Sequence, residues 1–295
     1  MTFKKILCPT DFSPGSRDAM RVAVHMATES GAELVLAHVW HPPLFAFGGG
    51  DPFPAEAIQQ LVTEKQRGLA ETANDAVKLG ARRVTSRFLT GAPWDGLVEA
   101  LRADEAFDLV VMGSHGRTGL ARVLLGSVTE KVIRHAPCSV LAARARGDAT
   151  SFAHILCPID FSDSSRHAVE RAAQLAAPSG AGIMLLHAIE LPVTYTGELF
   201  GADFLDNIEE KSARLLEEWA SDLKSKVAVP VATEIRVGPP AMHTLEILDH
   251  DPTFDLVVIG SHGRTGLHRA LLGSVAEQVV RHAACHVLVA RTRTA

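Results

Sequence analysis

Aromatic residues are scarce in this chain, at 5% of the sequence with a single tyrosine, so its cores must be built mainly from Ala, Val, Leu and Ile. A basic excess is missing too. The formal net charge of −5 argues against the electrostatic footprint of a nucleic-acid binder, which tracks phosphates with clustered Lys and Arg. No run of about 18 apolar residues is present to span a bilayer, so neither nucleic acid nor membrane is an expected partner. The opening segment MTFKKILCPTDFS reaches Asp11 after a very short apolar run and lacks the h-region of a signal peptide. With only four cysteines, Cys8, Cys138, Cys157 and Cys285, no disulfide framework is expected; small buried thiols and a cytoplasmic location are. The commonest phosphate motifs, G-x-x-x-x-G-K-[ST] and G-x-G-x-x-G, are absent as well. That excludes a P-loop NTPase and a standard dinucleotide binder, and leaves rapid hydrolysis without visible machinery.

What is present is a duplication. Residues 107–128 read FDLVVMGSHGRTGLARVLLGSV and residues 254–275 read FDLVVIGSHGRTGLHRALLGSV, with three differences. ILCPTDFS at 6–13 returns as ILCPIDFS at 155–162, an offset of 149 that becomes 147 at the glycine segment. Loop variation of two residues between whole-domain copies explains the change better than a short solenoid repeat. At 295 residues, 47% apolar and 21% charged, the chain can hold two soluble domains, each with its own core. They are expected at 1–146 and 151–295, with the boundary in RARGDATSF (Arg144 to Phe152), where charge, Gly and small polar residues break the apolar pattern.

In the first half KKILCPT, AELVLAHVW, RVTSRFLT, FDLVVMG and CSVLAAR are five candidate strands. Between them, helical periodicity covers Ser16 to Ser30, Ala55 to Leu79, Pro93 to Arg102 and Ser127 to His135. The second half repeats the order with HILCPID, AGIMLLHAIE, VATEIRV, FDLVVIG and CHVLVAR. Strands alternating with helices predict an α/β class: two tandem copies of a five-stranded, mostly parallel sheet flanked by helices. In such sheets ligands bind beyond the C-terminal strand ends. Asp11, Val39, Gly91 and Gly113 fall at such ends, as do Asp160, Ala188, Gly238 and Gly260.

The spacing Gly113-x2-Gly116-x9-Gly126-Ser127 recurs as Gly260-x2-Gly263-x9-Gly273-Ser274. Glycine lets a backbone N–H approach a phosphate without a Cβ in the way, and the Gly-Ser step sits at a helix start, where an anion is favoured. Arg122 and Arg269, four residues before the third glycine, can neutralise remaining charge. An alternative reading of the serines is capping alone, since Ser127 with Glu130 and Ser274 with Glu277 have the S-x-x-E spacing of a capping box. Asp11 reads equally as a ligand contact or as a helix N-terminal residue beside Ser13-Pro14. His115, His262, Arg117 and Arg264 lie inside the glycine turn, where phosphate contact and plain solvation are both open.

A first strand ending in PTDFS or PIDFS, followed after FDLVVMG by G-x2-G-x9-G-[ST], resembles the universal stress protein family in its tandem form, over essentially Phe3 to Arg291. That resemblance implies an adenine-nucleotide alpha hydrolase-like fold and ATP as ligand, with ADP, AMP and an accompanying Mg as variants. Carried over, Asp11 and Asp160 would lie near ribose or adenine, and Val39 and Ala188 would meet the adenine edge. The phosphates would take Gly113, Gly116, Gly126, Ser127 and Val128, and in the second half Gly260, Gly263, Gly273, Ser274 and Val275. Thr10, Met112 and Ile259, beside the strand ends, complete the candidate set. Two departures separate the halves: Ala188 offers less contact than Val39, and FAFGGGDPFP (Phe45 to Pro54) has no close copy around Thr194 to Phe204.

His135-x2-Cys138 and His282-x2-Cys285-His286 have spacing that could seed a metal site. A cation at a helix C-terminus followed by a strand explains them better, since neither half supplies four ligands. The final strands, SVLAAR and HVLVAR, are expected at sheet edges. The family commonly dimerises through them, so pairing of the halves and a homodimer are expectations. The function expected is a nucleotide-binding switch in stress signalling, in which phosphate orders the glycine loop and the Phe45 to Pro54 region. A slow ATPase or adenylyl transferase is the enzymatic rival, disfavoured because no carboxylate pair, lysine near the glycines or nucleophile–base spacing recurs in both halves. A nucleotide-free interaction module is the other rival.

Overall fold

A computed structural model describes residues 3–42, 54–114, 125–145, 151–191, 203–263 and 272–293. The chain divides into two compact units, the first essentially 3–150 and the second 151–292. In the first unit β1 (Lys5–Pro9), α1 (Pro14–Ser30), β2 (Glu33–Trp40), α2 (Ala55–Lys78), β3 (Val84–Thr90), α3 (Pro93–Ala103), β4 (Leu109–Gly113), α4 (Ser127–His135) and β5 (Ser139–Ala143) alternate. Its strands order as β3-β2-β1-β4-β5, and each pairing is parallel.

The second unit repeats this with β6 (His154–Ile159), α5 (Asp163–Ser179), β7 (Gly182–Ile189), α6 (Asp203–Lys226), β8 (Val231–Val237), α7 (Pro240–His250), β9 (Leu256–Gly260), α8 (Ser274–His282) and β10 (His286–Ala290). Its order is β8-β7-β6-β9-β10, again parallel. Parallel neighbours need a crossover, and the helices supply it.

The central strands are apolar without alternation because both faces are covered. Ile6, Leu7 and Cys8 of β1 and Leu109, Val110 and Val111 of β4 have no exposed surface. In β3, at the border of its sheet, several positions are exposed instead. The Ser13 side chain accepts the Ser16 N–H at the start of α1, with Pro14 in the first turn where its missing N–H costs nothing. Ser162 does the same for α5. Gly91 and Gly238, joining the third strand to the third helix of each unit, have φ of 130° and 133°, a conformation that only glycine adopts without strain. Among the described residues, no helix is long and apolar enough to cross a membrane.

All four cysteines are buried. Burial pushes the Cys8 thiol up to about 12 and raises Cys157 for the same reason. A thiol reagent at about pH 8, where an accessible cysteine is partly thiolate, should leave the native chain unlabelled and modify all four sites in denaturant. Because the unfolded thiol ionises near 9.0 and folded Cys8 near 12, this contribution to stability is intact below the first value. It is lost as pH rises toward the second. Rapid labelling without unfolding would contradict the assigned burial.

Candidate functional site

In the first unit the strand order reverses between β1 and β4, and the crevice lies beyond the ends of these two strands. The turn leaving β1 is built by local bonds. Phe12 N–H donates to Thr10 Oγ1 (3.0 Å) and Ser13 N–H to Asp11 Oδ1 (3.0 Å). Asp11 therefore shapes the turn that delivers the Ser13 cap and is not itself in the helix. Between them Phe12 takes φ 66° and its counterpart Phe161 takes φ 63°, a left-handed conformation that costs a residue with a Cβ about 1–2 kcal/mol. His38 helps to hold it: Nδ1 donates to the Thr10 carbonyl (2.8 Å) and the imidazole lies 4.6 Å from the Phe12 ring. His187 repeats both contacts with the Ile159 carbonyl (2.9 Å) and Phe161 (4.4 Å).

A cavity of about 380 Å³ opens at this crevice. Thr10, Asp11, Val39, Met112, Gly113 and Val128 line it, which brings together six of the expected site residues from four elements or their ends. Its apolar walls also include Leu97 and Pro93 of α3, and its polar ones Ser16, Thr129 and Lys65. Thr129 Oγ1 donates to the Gly113 carbonyl (2.8 Å), fixing α4 against the end of β4.

The S-x-x-E capping reading is overturned. Ser127 is the first residue of α4, Gly126 occupies the cap position, and no side chain caps the helix. Glu130 bonds Arg134 one turn on (3.3 Å). In the second unit Gly273 likewise precedes Ser274 without a side-chain cap, and Glu277 pairs with Arg281 (3.3 Å). The spacing misleads because the preceding residue is glycine in extended conformation, φ −64° at Gly126; that shifts the cap back by one and denies it a side chain. Among the described residues, neither helix has a side-chain cap on its first turn, the arrangement that attracts anions.

The loop between the glycines is closed at its base, where Gly126 N–H donates to the Ser114 carbonyl (2.8 Å) and Gly273 N–H to that of Ser261 (2.8 Å). His115, Gly116, Arg117, Arg122, Arg264 and Arg269 lie outside the described residues, as do 45–53 and 194–202. In the second unit Ile259 is buried at the end of β9, Ala188 is half-buried, and Val275 opens α8 beside Ser274. Asp160 Oδ1 accepts from Ser162 N–H (3.1 Å), Ser162 Oγ (2.5 Å) and Ser165 Oγ (2.6 Å). His262 Nδ1 bonds Ser261 Oγ (2.8 Å), and Gly263 lies beside the Asp160 carboxylate. His135 and His282 end α4 and α8, and among the described residues no group of three or more His, Cys, Asp or Glu could hold a metal.

The universal stress protein family model matches residues 2–144 and again 151–291. The chain belongs to this family. A universal stress protein of Mycobacterium tuberculosis is 35% identical over 248 residues, covering 78% of this chain and 79% of that protein. One from Mycolicibacterium smegmatis is 29% identical over 297 residues, covering 98% and 97%. The crystal structure of a universal stress protein from Archaeoglobus fulgidus superposes over 97% of this chain and 98% of that one, with TM-score 0.72 at 22% identity, a likeness of fold.

The motifs did not point to His38, His187 or Lys65. The two histidines had a signal, since they recur 149 residues apart in strand two, as the phenylalanines they touch do in the first turn. Lys65 had none: it lies mid-helix in α2, far in sequence from the glycines, and reaches the cavity only because α2 folds across the sheet.

One glycine of the motif can be tested for fit. A Cβ on Gly260 would come 2.6 Å from Ser164 Oγ and within 2.9 and 3.0 Å of Ser164 backbone atoms. Gly260→Ala should therefore destabilise the second unit by about 1–3 kcal/mol, read as a lower urea midpoint. An unchanged midpoint would mean that α5 moves aside freely.

Proposed function

We propose that this protein binds an adenine nucleotide, ATP with ADP or AMP as variants, at the strand ends of its first unit, and acts as a nucleotide-responsive switch in stress signalling. The observation that carries this reading is the cavity of about 380 Å³ at the β1/β4 crevice, within the size range of small-molecule sites. Its apolar walls suit a flat base. The Asp11 carboxylate suits sugar hydroxyls, and the first turn of α4, without a side-chain cap, suits phosphate oxygens. Backbone N–H bonds to charged oxygens contribute about 1.5–3 kcal/mol each, so a few give useful affinity. Mg would arrive with the phosphates, because the described residues offer no ligand cluster of their own. Binding at the junction of β1, β2, β4 and α4 would bias the surface that a partner reads.

The test is the nucleotide released on denaturing protein purified without added ligand, together with calorimetric titration of stripped protein. Gly126→Ala keeps a backbone conformation that alanine adopts readily while placing a methyl at the phosphate end. It should weaken ATP binding about tenfold or more with an unchanged melting temperature. If the wild type carries no nucleotide and titrates none, the reading is wrong and an interaction module takes its place.

A further inference from the structure

The two units carry the same motif but differ in the side chains placed around it. Position 10 is Thr in the first unit and its counterpart is Ile159; position 15 is Gly and its counterpart is Ser164. Both exchanges redirect hydrogen bonds at the strand ends. In the first unit Thr10 Oγ1 engages Ser16 Oγ (3.1 Å). Ile159 has no hydroxyl, so Ser165 Oγ turns instead to Asp160, whose Oδ1 then gathers three donors. The other oxygen, Oδ2, stands 3.0 Å from where a Cβ on Gly263 would be, so the carboxylate lies beside that glycine.

Ser164 acts on the turn itself. Its Oγ accepts the backbone N–H of His262 (3.3 Å), one of the donors an incoming phosphate would use. Gly15 has no side chain with which to do this. A third difference adds charge on one side only. Lys65 of α2 lines the first cavity with Nζ 5.7 Å from the centre of the Phe12 ring. Its ion pair with Glu64, at 3.7 Å, is to a side chain 58% exposed, and such pairs are screened by water. Counting from Val84 of β3 and Val231 of β8, the matching position on α6 is the uncharged Ser212, between Lys211 and Ala213.

Resting on the nucleotide reading above, we infer that the first unit is the polyphosphate site, with Lys65 selecting for ligand charge, and that Ser164 holds the second unit in a self-occupied, weaker state. The chain is then a one-tight, one-weak receptor, whose second site responds only at high ligand concentration.

The experiment is calorimetric titration of the full, nucleotide-stripped chain with ATP and with adenosine, for wild type, Lys65→Gln, Lys65→Arg and Ser164→Ala, each checked by thermal melting. Wild type should show one tight equivalent of ATP and a second much weaker one. Lys65→Gln should weaken the tight site about tenfold for ATP, since a charge-assisted contact is worth that much, and leave adenosine binding as it was. Lys65→Arg should retain most of the ATP affinity. Ser164→Ala, which removes only an oxygen, should strengthen the weak site about fivefold by releasing the His262 N–H. Two equal sites in wild type, an equal loss of adenosine and ATP in Lys65→Gln, or an unaltered weak site in Ser164→Ala would each overturn the inference while the nucleotide reading stands. Wild type that takes up neither ligand overturns both.

Discussion

Everything at the site depends on one constraint: β1 is paired in parallel with β2 on one side and β4 on the other. Parallel pairing forces each connection to travel back along a helix, so all strand C-termini collect on one side of the sheet. Because the order turns around at β1, the connections leaving β1 and β4 diverge to opposite faces and leave a crevice between them. The Asp11 turn, the end of β2 and the start of α4 meet there because the sheet offers no other place for them. The repeated unit pairs β6 with β9 in the same register.

The α/β class was legible because the periodicities are strong: KILCP and LVVMG have no polar face, which signals strands covered on both sides. Helix ends were less so. Ser127 resembles a cap with its Glu130 partner, yet a glycine in extended conformation took the cap position, and a spacing rule does not weigh the backbone of the residue before. Asp11 was ambiguous for a reason the structure makes physical: it bonds the N–H of the cap residue and lines the cavity as well. Lys65 was beyond reach of local reasoning, since what brings it to the site is the packing of α2 on the sheet.

Duplication made the comparison of copies an internal control. Where both units keep a costly feature, such as the left-handed phenylalanine after the first strand, the ring contacts to a histidine repeat as well. Where the units differ, at Thr10 and Ile159 or Gly15 and Ser164, the consequences follow from a single hydroxyl gained or lost. The core tolerates wide change at the same time, since α2 and α6 are of equal length and share little sequence.

The bond from Gly126 N–H to the Ser114 carbonyl, matched by that from Gly273 to Ser261, ties the sheet to the following helix at the two feet of the loop. Between the copies, 115–124 and 262–271 differ only at 121/268 and 123/270, whereas α2 and α6 share little sequence. The two copies have thus stayed closely alike in the segment whose two ends these bonds join.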